Sequence, residues 1–229
     1  MKRSSVMSRL LMLAAGLAAT MGIAFASEGA GVSADQALQN LMDGNARFVD
    51  SKMGACAASD ASARAKLATS QHPYAIILSC SDSRVPPELI FDQSLGEIFV
   101  IRVAGNVADP IVLGSIEYAS EHLGSPLIMV LGHERCGAVT ATVKAKGKPE
   151  GNIGAIVKAI EPSAKKAKQV CKGKTTDEIV ECAVALNAKA VAADLTKKSK
   201  VLAEQLKEGK IKIVAAKYDL DDGKVTLLK

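Results

Sequence analysis

The sequence predicts an α/β fold: a mainly parallel central β-sheet flanked by helices, with an N-terminal helical arm and a C-terminal hairpin strand. Three observations carry this. Short aliphatic runs with little polar alternation recur at Tyr74–Ser79, Glu97–Arg102, Pro126–Leu131 and Lys210–Ala216, the pattern of strands buried on both faces. Longer segments with helical spacing separate the last three of these runs, as a parallel sheet with crossover helices requires. Asp221-Asp222-Gly223 is a tight-turn signal in front of Lys224–Leu228, so the chain should close in a hairpin.

The first segment is set apart from the rest. Met1-Lys2-Arg3 and Arg9 precede an apolar stretch from Leu10 to Phe25 that closes on Ala24-Phe25-Ala26. That is the layout of a secretory signal peptide over residues 1–26, cleaved after Ala26. The competing reading is an uncleaved anchor, but Gly16, Thr20 and Gly22 interrupt an apolar run already short for spanning a bilayer. Residues 27–229 then form a single exported domain with room for a sizeable core, made of a helical arm (27–72) and an α/β core (73–229). Later segments are too short in apolar residues to span, so no membrane association is expected after cleavage.

In the arm, Ser33 is a candidate N-cap for a helix carrying Ala37, Leu38, Leu41 and Met42 at helical spacing. Ser59–Ser70 suggests a second short helix after a loop at Ser51–Ala58. Both look peripheral to the core. After the second strand, Asp109–His122 reads as a helix with Ile111, Val112, Ile116 and Ala119 on its inner face and Gly124 as its stop. Further helices are expected over Cys136–Lys146, Ile153–Val170 and Thr176–Leu206, the last breaking near Lys197–Lys200.

Charge excludes one class of partner. Lys and Arg number 29 against 24 Asp and Glu, a formal +5, and loss of Lys2, Arg3 and Arg9 with the leader brings the exported chain near +2. The lysines at Lys165–Lys174 and Lys197–Lys200 have no interleaved aromatics and read as solvated helix faces, not a nucleic-acid surface. No Gly-x-Gly-x-x-Gly follows any strand, which argues against a dinucleotide site.

Ligands of open parallel sheets bind at the carboxyl ends of the strands. Here those ends carry Cys80-Ser81-Asp82-Ser83-Arg84, Ala104-Gly105-Asn106 and Gly132-His133-Glu134-Arg135-Cys136. If the first and third strands are near neighbours, Cys80, His133 and Cys136 form a Cys₂His set that suits zinc and leaves a fourth position for catalysis. Cys136 also opens a helix, where amides favour a thiolate. A core cysteine in a polar loop, a satisfied core histidine, and a Cys80–Cys136 disulfide are the other readings of the same residues. Asp82 lies two residues from both Cys80 and Arg84. Paired with Arg84, it stays ionised and can orient a water at the metal; with Arg84 displaced, it could reach the metal as a fourth ligand. A structural ion pair is the plainer reading. With Cys80 and Cys136 reserved for a metal, Cys171 could pair with Cys182 and leave Cys56 free, but spacing does not decide the pairing.

The segments Cys80-Ser-Asp-Ser-Arg-Val-Pro-Pro-Glu88, Asp92 to Asn106 and Gly132-His-Glu-Arg-Cys-Gly-Ala-Val139 resemble the beta-class carbonic anhydrases, in family order across roughly Ala37–Leu228. The resemblance implies one zinc per chain on Cys80, His133 and Cys136, with Asp82 alternating between metal ligand and Arg84 partner. It implies reversible hydration of carbon dioxide to bicarbonate and a proton, since zinc lowers the pKa of a coordinated water to roughly 7 and so generates hydroxide. It also implies N-terminal helices that embrace a neighbour, hence a homodimer or homotetramer. Family-like pocket positions are Gln71, Phe99, Ala104, Tyr118 and Gly137, with Ala104 smaller than the valine of some members. His72 and His122 read as surface histidines that could pass protons. Carbonyl sulfide or carbon disulfide hydrolysis on the same fold, and a non-enzymatic exported zinc or thiol protein, remain the alternatives.

Overall fold

The computed structural model describes residues 31–55, 59–147, 149 and 151–229. The expected leader (1–26) and Cys56 lie outside the described residues. Five strands form one sheet: β1 (Ala75–Ser79), β2 (Ile98–Arg102), β3 (Leu127–His133), β4 (Lys212–Tyr218) and β5 (Val225–Leu227), in the order β2-β1-β3-β4-β5. β2, β1, β3 and β4 are parallel, and only β5 is antiparallel, folding back on β4 through the turn expected at Asp221-Asp222-Gly223. No helix among the described residues is long and apolar enough to cross a membrane.

β1 and β3 are buried along their whole length, which is why they read as unbroken aliphatic runs instead of alternating ones. Their side chains feed two cores. Ala75, Ile77, Leu127, Met129 and Leu131 face one side of the sheet, and Ile76, Leu78, Ile128 and Val130 face the other, the period-two alternation of a strand. On the first side lie α1 (Ala34–Val49), α5 (Gly137–Lys144), α6 (Ile153–Val170) and the first half of α7 (Thr176–Lys198), whose second half, from Ala188 to Leu195, packs on the other side. On the second lie α4 (Pro110–Glu121) and α8 (Lys200–Lys207). Ser199 produces the expected break: it ends α7, and its hydroxyl accepts the Leu202 N–H to cap α8.

Three features depart from the sequence reading. α1 is not peripheral: Ala37 and Leu41 are fully buried in the first core, and the helix runs to Val49 because Gly44 and Asn45 continue the buried stripe. Asn45 ties it to the far end of the chain, donating to Gly223 O (2.8 Å) and accepting from Val225 N (2.9 Å). Only α2 (Ala61–Leu67), which buries no residue, is peripheral as expected. Ile111, expected on the inner face of α4, is 81% exposed. At about 100° per residue it lies some 140° from Ile116, off the stripe that Val112, Ile116 and Ala119 share. Finally, Pro87–Ile90 forms a one-turn helix, α3, too short to leave a periodic signal.

Candidate metal centre

The strand register assembles the centre. Ser79 at the end of β1 pairs with Leu131, whereas β3 runs two residues further, to His133. Cys80, just past β1, therefore meets the end of β3, and Cys136 follows as the N-cap of α5. Gly132 lets α7 approach: a Cβ there would sit 3.2 Å from Val184 Cγ1 and 3.4 Å from Ala188 Cβ. Gly105, at φ 73° in the 3₁₀ turn Ala104–Asn106, lets the end of β2 close over the same point. A Cβ on it would meet Ile160 Cδ1 at 2.6 Å.

One ligand atom from each of Cys80, His133 and Cys136 falls within a mutual 4.8 Å. All three residues are buried. The two sulfurs are 4.0 Å apart and form no disulfide, which removes the disulfide reading. His133 Nδ1 lies 2.8 Å from Glu134 O and donates to it, so the ring's other nitrogen, Nε2, presents a lone pair. That Nε2 is buried without a hydrogen-bond partner. A buried acceptor lacking a donor is costly, and here it faces two thiol sulfurs. Two soft sulfurs and an imidazole nitrogen with its second nitrogen anchored are the donors zinc requires, so the residues fit the ion.

The electrostatics favour that use. The Cys136 thiol donates to Cys80, and together with the Gly105 N–H (3.3 Å) this draws the Cys80 thiol far below its ordinary pKa despite burial. Cys136 is pushed upward by holding the shared proton, by burial and by the charge on Cys80. The α5 amides of Val139 and Ala138 act against that rise.

Asp82 points at Arg84 in this structure. The guanidinium donates to Oδ1 through Nε (2.9 Å) and to Oδ2 through a terminal nitrogen (2.7 Å), and the Arg84 backbone N–H adds a third bond of 3.0 Å. These donors hold the carboxyl well below the usual carboxylate range. Asp82 Oδ2 still lies 3.9 Å from His133 Nε2, at the rim of the donor triangle. Arg102, unnoticed in the sequence, braces this loop by donating to Cys80 O (3.0 Å) and Asp82 O (2.5 Å). Its signal was available: a lone arginine ending an aliphatic strand beside two other strand-end loops.

The remaining expected positions divide into two groups. Ala104 and Gly137 adjoin Gly105 and Cys136, beside the metal donors. Phe99, register partner of Ile76, packs on the sheet face opposite Cys80. Its ring lies 6.3 Å from that of Tyr118. Tyr118 and Gln71 line a surface cavity of about 730 Å³ with His72 and His122, and no metal donor borders it. Within one chain, Gln71, Phe99 and Tyr118 are thus not brought to the donors. The disulfide pairs Cys171 with Cys182, across the α6–α7 turn.

Comparison with known proteins agrees with this arrangement. Residues 75–225 match the family model described as carbonic anhydrase. A carbonic anhydrase of Mycolicibacterium smegmatis is 41% identical over 190 residues, covering 82% of this chain and 89% of the relative. Carbonic anhydrase 2 of Mycobacterium tuberculosis is 40% identical over the same shares. Among solved structures, the Coccomyxa beta-carbonic anhydrase in complex with acetazolamide superposes with a TM-score of 0.68 at 28% identity, covering 83% of this chain and 86% of that one. The beta-carbonic anhydrase CcaA gives 0.69 at 26%, covering 84% and 95%. This chain is an enzyme of the beta-class carbonic anhydrase family.

Proposed function

We propose that the protein catalyses the zinc-dependent, reversible hydration of carbon dioxide to bicarbonate and a proton, with one zinc per chain held by Cys80, His133 and Cys136. The observation that carries this is the buried, partnerless His133 Nε2 beside two sulfurs that form no disulfide. Zinc bound there would lower the pKa of water to roughly 7 and so supply the nucleophile at ordinary pH. The chain's own residues do the rest. Arg84 keeps Asp82 ionised and fixes its direction, so its carboxylate can accept a hydrogen bond from water at the rim of the donor triangle and aim that water's lone pair. Ala104 and Gly137 present little side-chain bulk next to the donors, leaving space for a small apolar substrate.

Two further parts of the reading rest on separate support. A homodimer or homotetramer would bring Gln71, Phe99 and Tyr118 of one copy toward the donors of another, and their separation within one chain supports this. Export to the periplasm is supported by the layout of residues 1–26 and by the Cys171–Cys182 disulfide, a bond that persists in oxidising compartments.

Stopped-flow measurement of carbon dioxide hydration, paired with metal analysis, tests the reading. The zinc-loaded protein should be active, and Cys80→Ser and His133→Ala should lose both metal and activity. Full activity in the metal-free protein would overturn it.

A further inference from the structure

The turn bearing two of the three metal donors is held from outside by α7. Between His133 and Cys136 the backbone passes through Arg135 at φ 49°, a left-handed conformation that non-glycine residues adopt at a cost and keep only when their surroundings fix it. Three contacts fix it. The Arg135 N–H donates to Glu181 Oε1 at 2.8 Å. The Arg135 guanidinium makes a two-bond pair with Asp221, at 2.9 and 2.8 Å. Its carbonyl accepts from the Arg84 guanidinium at 3.5 Å. Of these, only the bond to Glu181 acts on the amide that begins the left-handed residue.

We infer that Glu181 is a positioning residue for the metal centre. By accepting the Arg135 N–H it keeps the turn in the conformation that carries His133 and Cys136 toward Cys80. The inference rests on the zinc reading given above. Glu181 is well placed for this work. It follows the Thr175–Glu178 capping box that closes the start of α7, and its neighbour Cys182 is bonded to Cys171 at the end of α6. The backbone that carries the carboxylate is therefore tethered on both sides. A second role competes for the same side chain: Lys217 Nζ lies 3.8 Å from Glu181 Oε2 while binding Glu134 Oε1 at 2.8 Å, so Glu181 could matter only as a charge. Substitution by glutamine separates the two, because glutamine keeps an oxygen acceptor and loses the charge.

The experiment is the rate of zinc transfer from the holoenzyme to excess chelator, with hydration activity measured alongside. Glu181→Ala should release zinc about tenfold faster or more, the usual scale for an outer support of a metal ligand. Glu181→Asp keeps the charge but withdraws the oxygen by one methylene, and should behave like the alanine variant. Glu181→Gln should stay within about threefold of wild type, as should Asp177→Asn, which removes an exposed carboxylate from the first turn of α7. If the alanine variant fails to fold, the aspartate and glutamine variants carry the comparison. Aspartate and alanine variants within twofold of wild type would overturn the inference. So would a glutamine variant as fast as the aspartate one, which would place the role on charge. A wild-type protein that takes up no zinc overturns the reading of the centre itself, an outcome distinct from the other two.

Discussion

Arg84 grips both carboxylate oxygens of Asp82, at 2.9 and 2.7 Å, while Asp82 Oδ2 remains 3.9 Å from His133 Nε2. On the zinc reading proposed above, this grip would keep the carboxylate an acceptor beside the donors and off the metal. Arg84→Ala should lower kcat/KM for carbon dioxide hydration by about 10²-fold, the scale of a lost orienting contact, with zinc content unchanged. Stopped-flow assay and metal analysis on the same preparation check both halves. A variant that loses its zinc as well would show that Arg84 supports the fold of the loop instead.

The thiols supply a metal test independent of turnover. In the zinc-loaded native protein Cys80 and Cys136 should not react with a thiol reagent, being buried and coordinated. Addition of a strong chelator should release two further reactive thiols per chain. Two thiols already titrating before chelation would argue against coordination.

Asn45 links α1 to α3, between β1 and β2, and to the final hairpin through bonds to Ile90 O (3.1 Å), Gly223 O (2.8 Å) and Val225 N (2.9 Å). It is 4% exposed, so truncation strands buried partners. Asn45→Ala should cost about 2–4 kcal/mol in denaturant unfolding.

The Cys171–Cys182 bond closes a segment with a sequence separation of 11. Loop-closure entropy for that length corresponds to about 3 kcal/mol. Replacing both cysteines by alanine should lower unfolding stability by about 2–3 kcal/mol, and added dithiol should then have no further effect on the variant's midpoint.

Tyr74 is buried, with its hydroxyl donating to Gln93 Oε1, and burial raises its pKa well above that of a free phenol. A raised folded pKa means that the stabilisation is complete below the unfolded value of about 10 and is lost as pH climbs from there toward the folded value. Wild type should therefore lose stability between pH 10 and 11 more steeply than Tyr74→Phe, a difference approaching about 1.4 kcal/mol per pH unit. Equal slopes in urea titrations at those pH values would contradict this.

How much of the protein shows in its sequence depends on how local the cause is. The strands and the helix cap at Ser33 follow from periodicity and capping chemistry within a few residues, and so does the break at Ser199. The donors Cys80, His133 and Cys136 are legible because strand ends in a parallel sheet converge on one edge. Ile111 misled because a helix face is set by rotation about the axis, which apolar character alone does not report. α1 read as an arm because its partners, Ile90 and the Gly223 turn, lie 45 and 178 residues from Asn45.

The amino-acid sequence by itself determines the order of the elements, the parallel sheet and which three residues are candidate metal donors, since each follows from spacing along the chain or from the place of a residue at a strand end. Tertiary structure alone decides that Asp82 turns to Arg84, that Arg102 braces their loop, and that Cys171 takes Cys182. It alone also brings Glu181 to the Arg135 amide, 46 residues away. The reason is physical: a hydrogen bond acts over about 3 Å in space and leaves no periodic trace along the chain, so only the packing of α7 against β3 brings its two partners together.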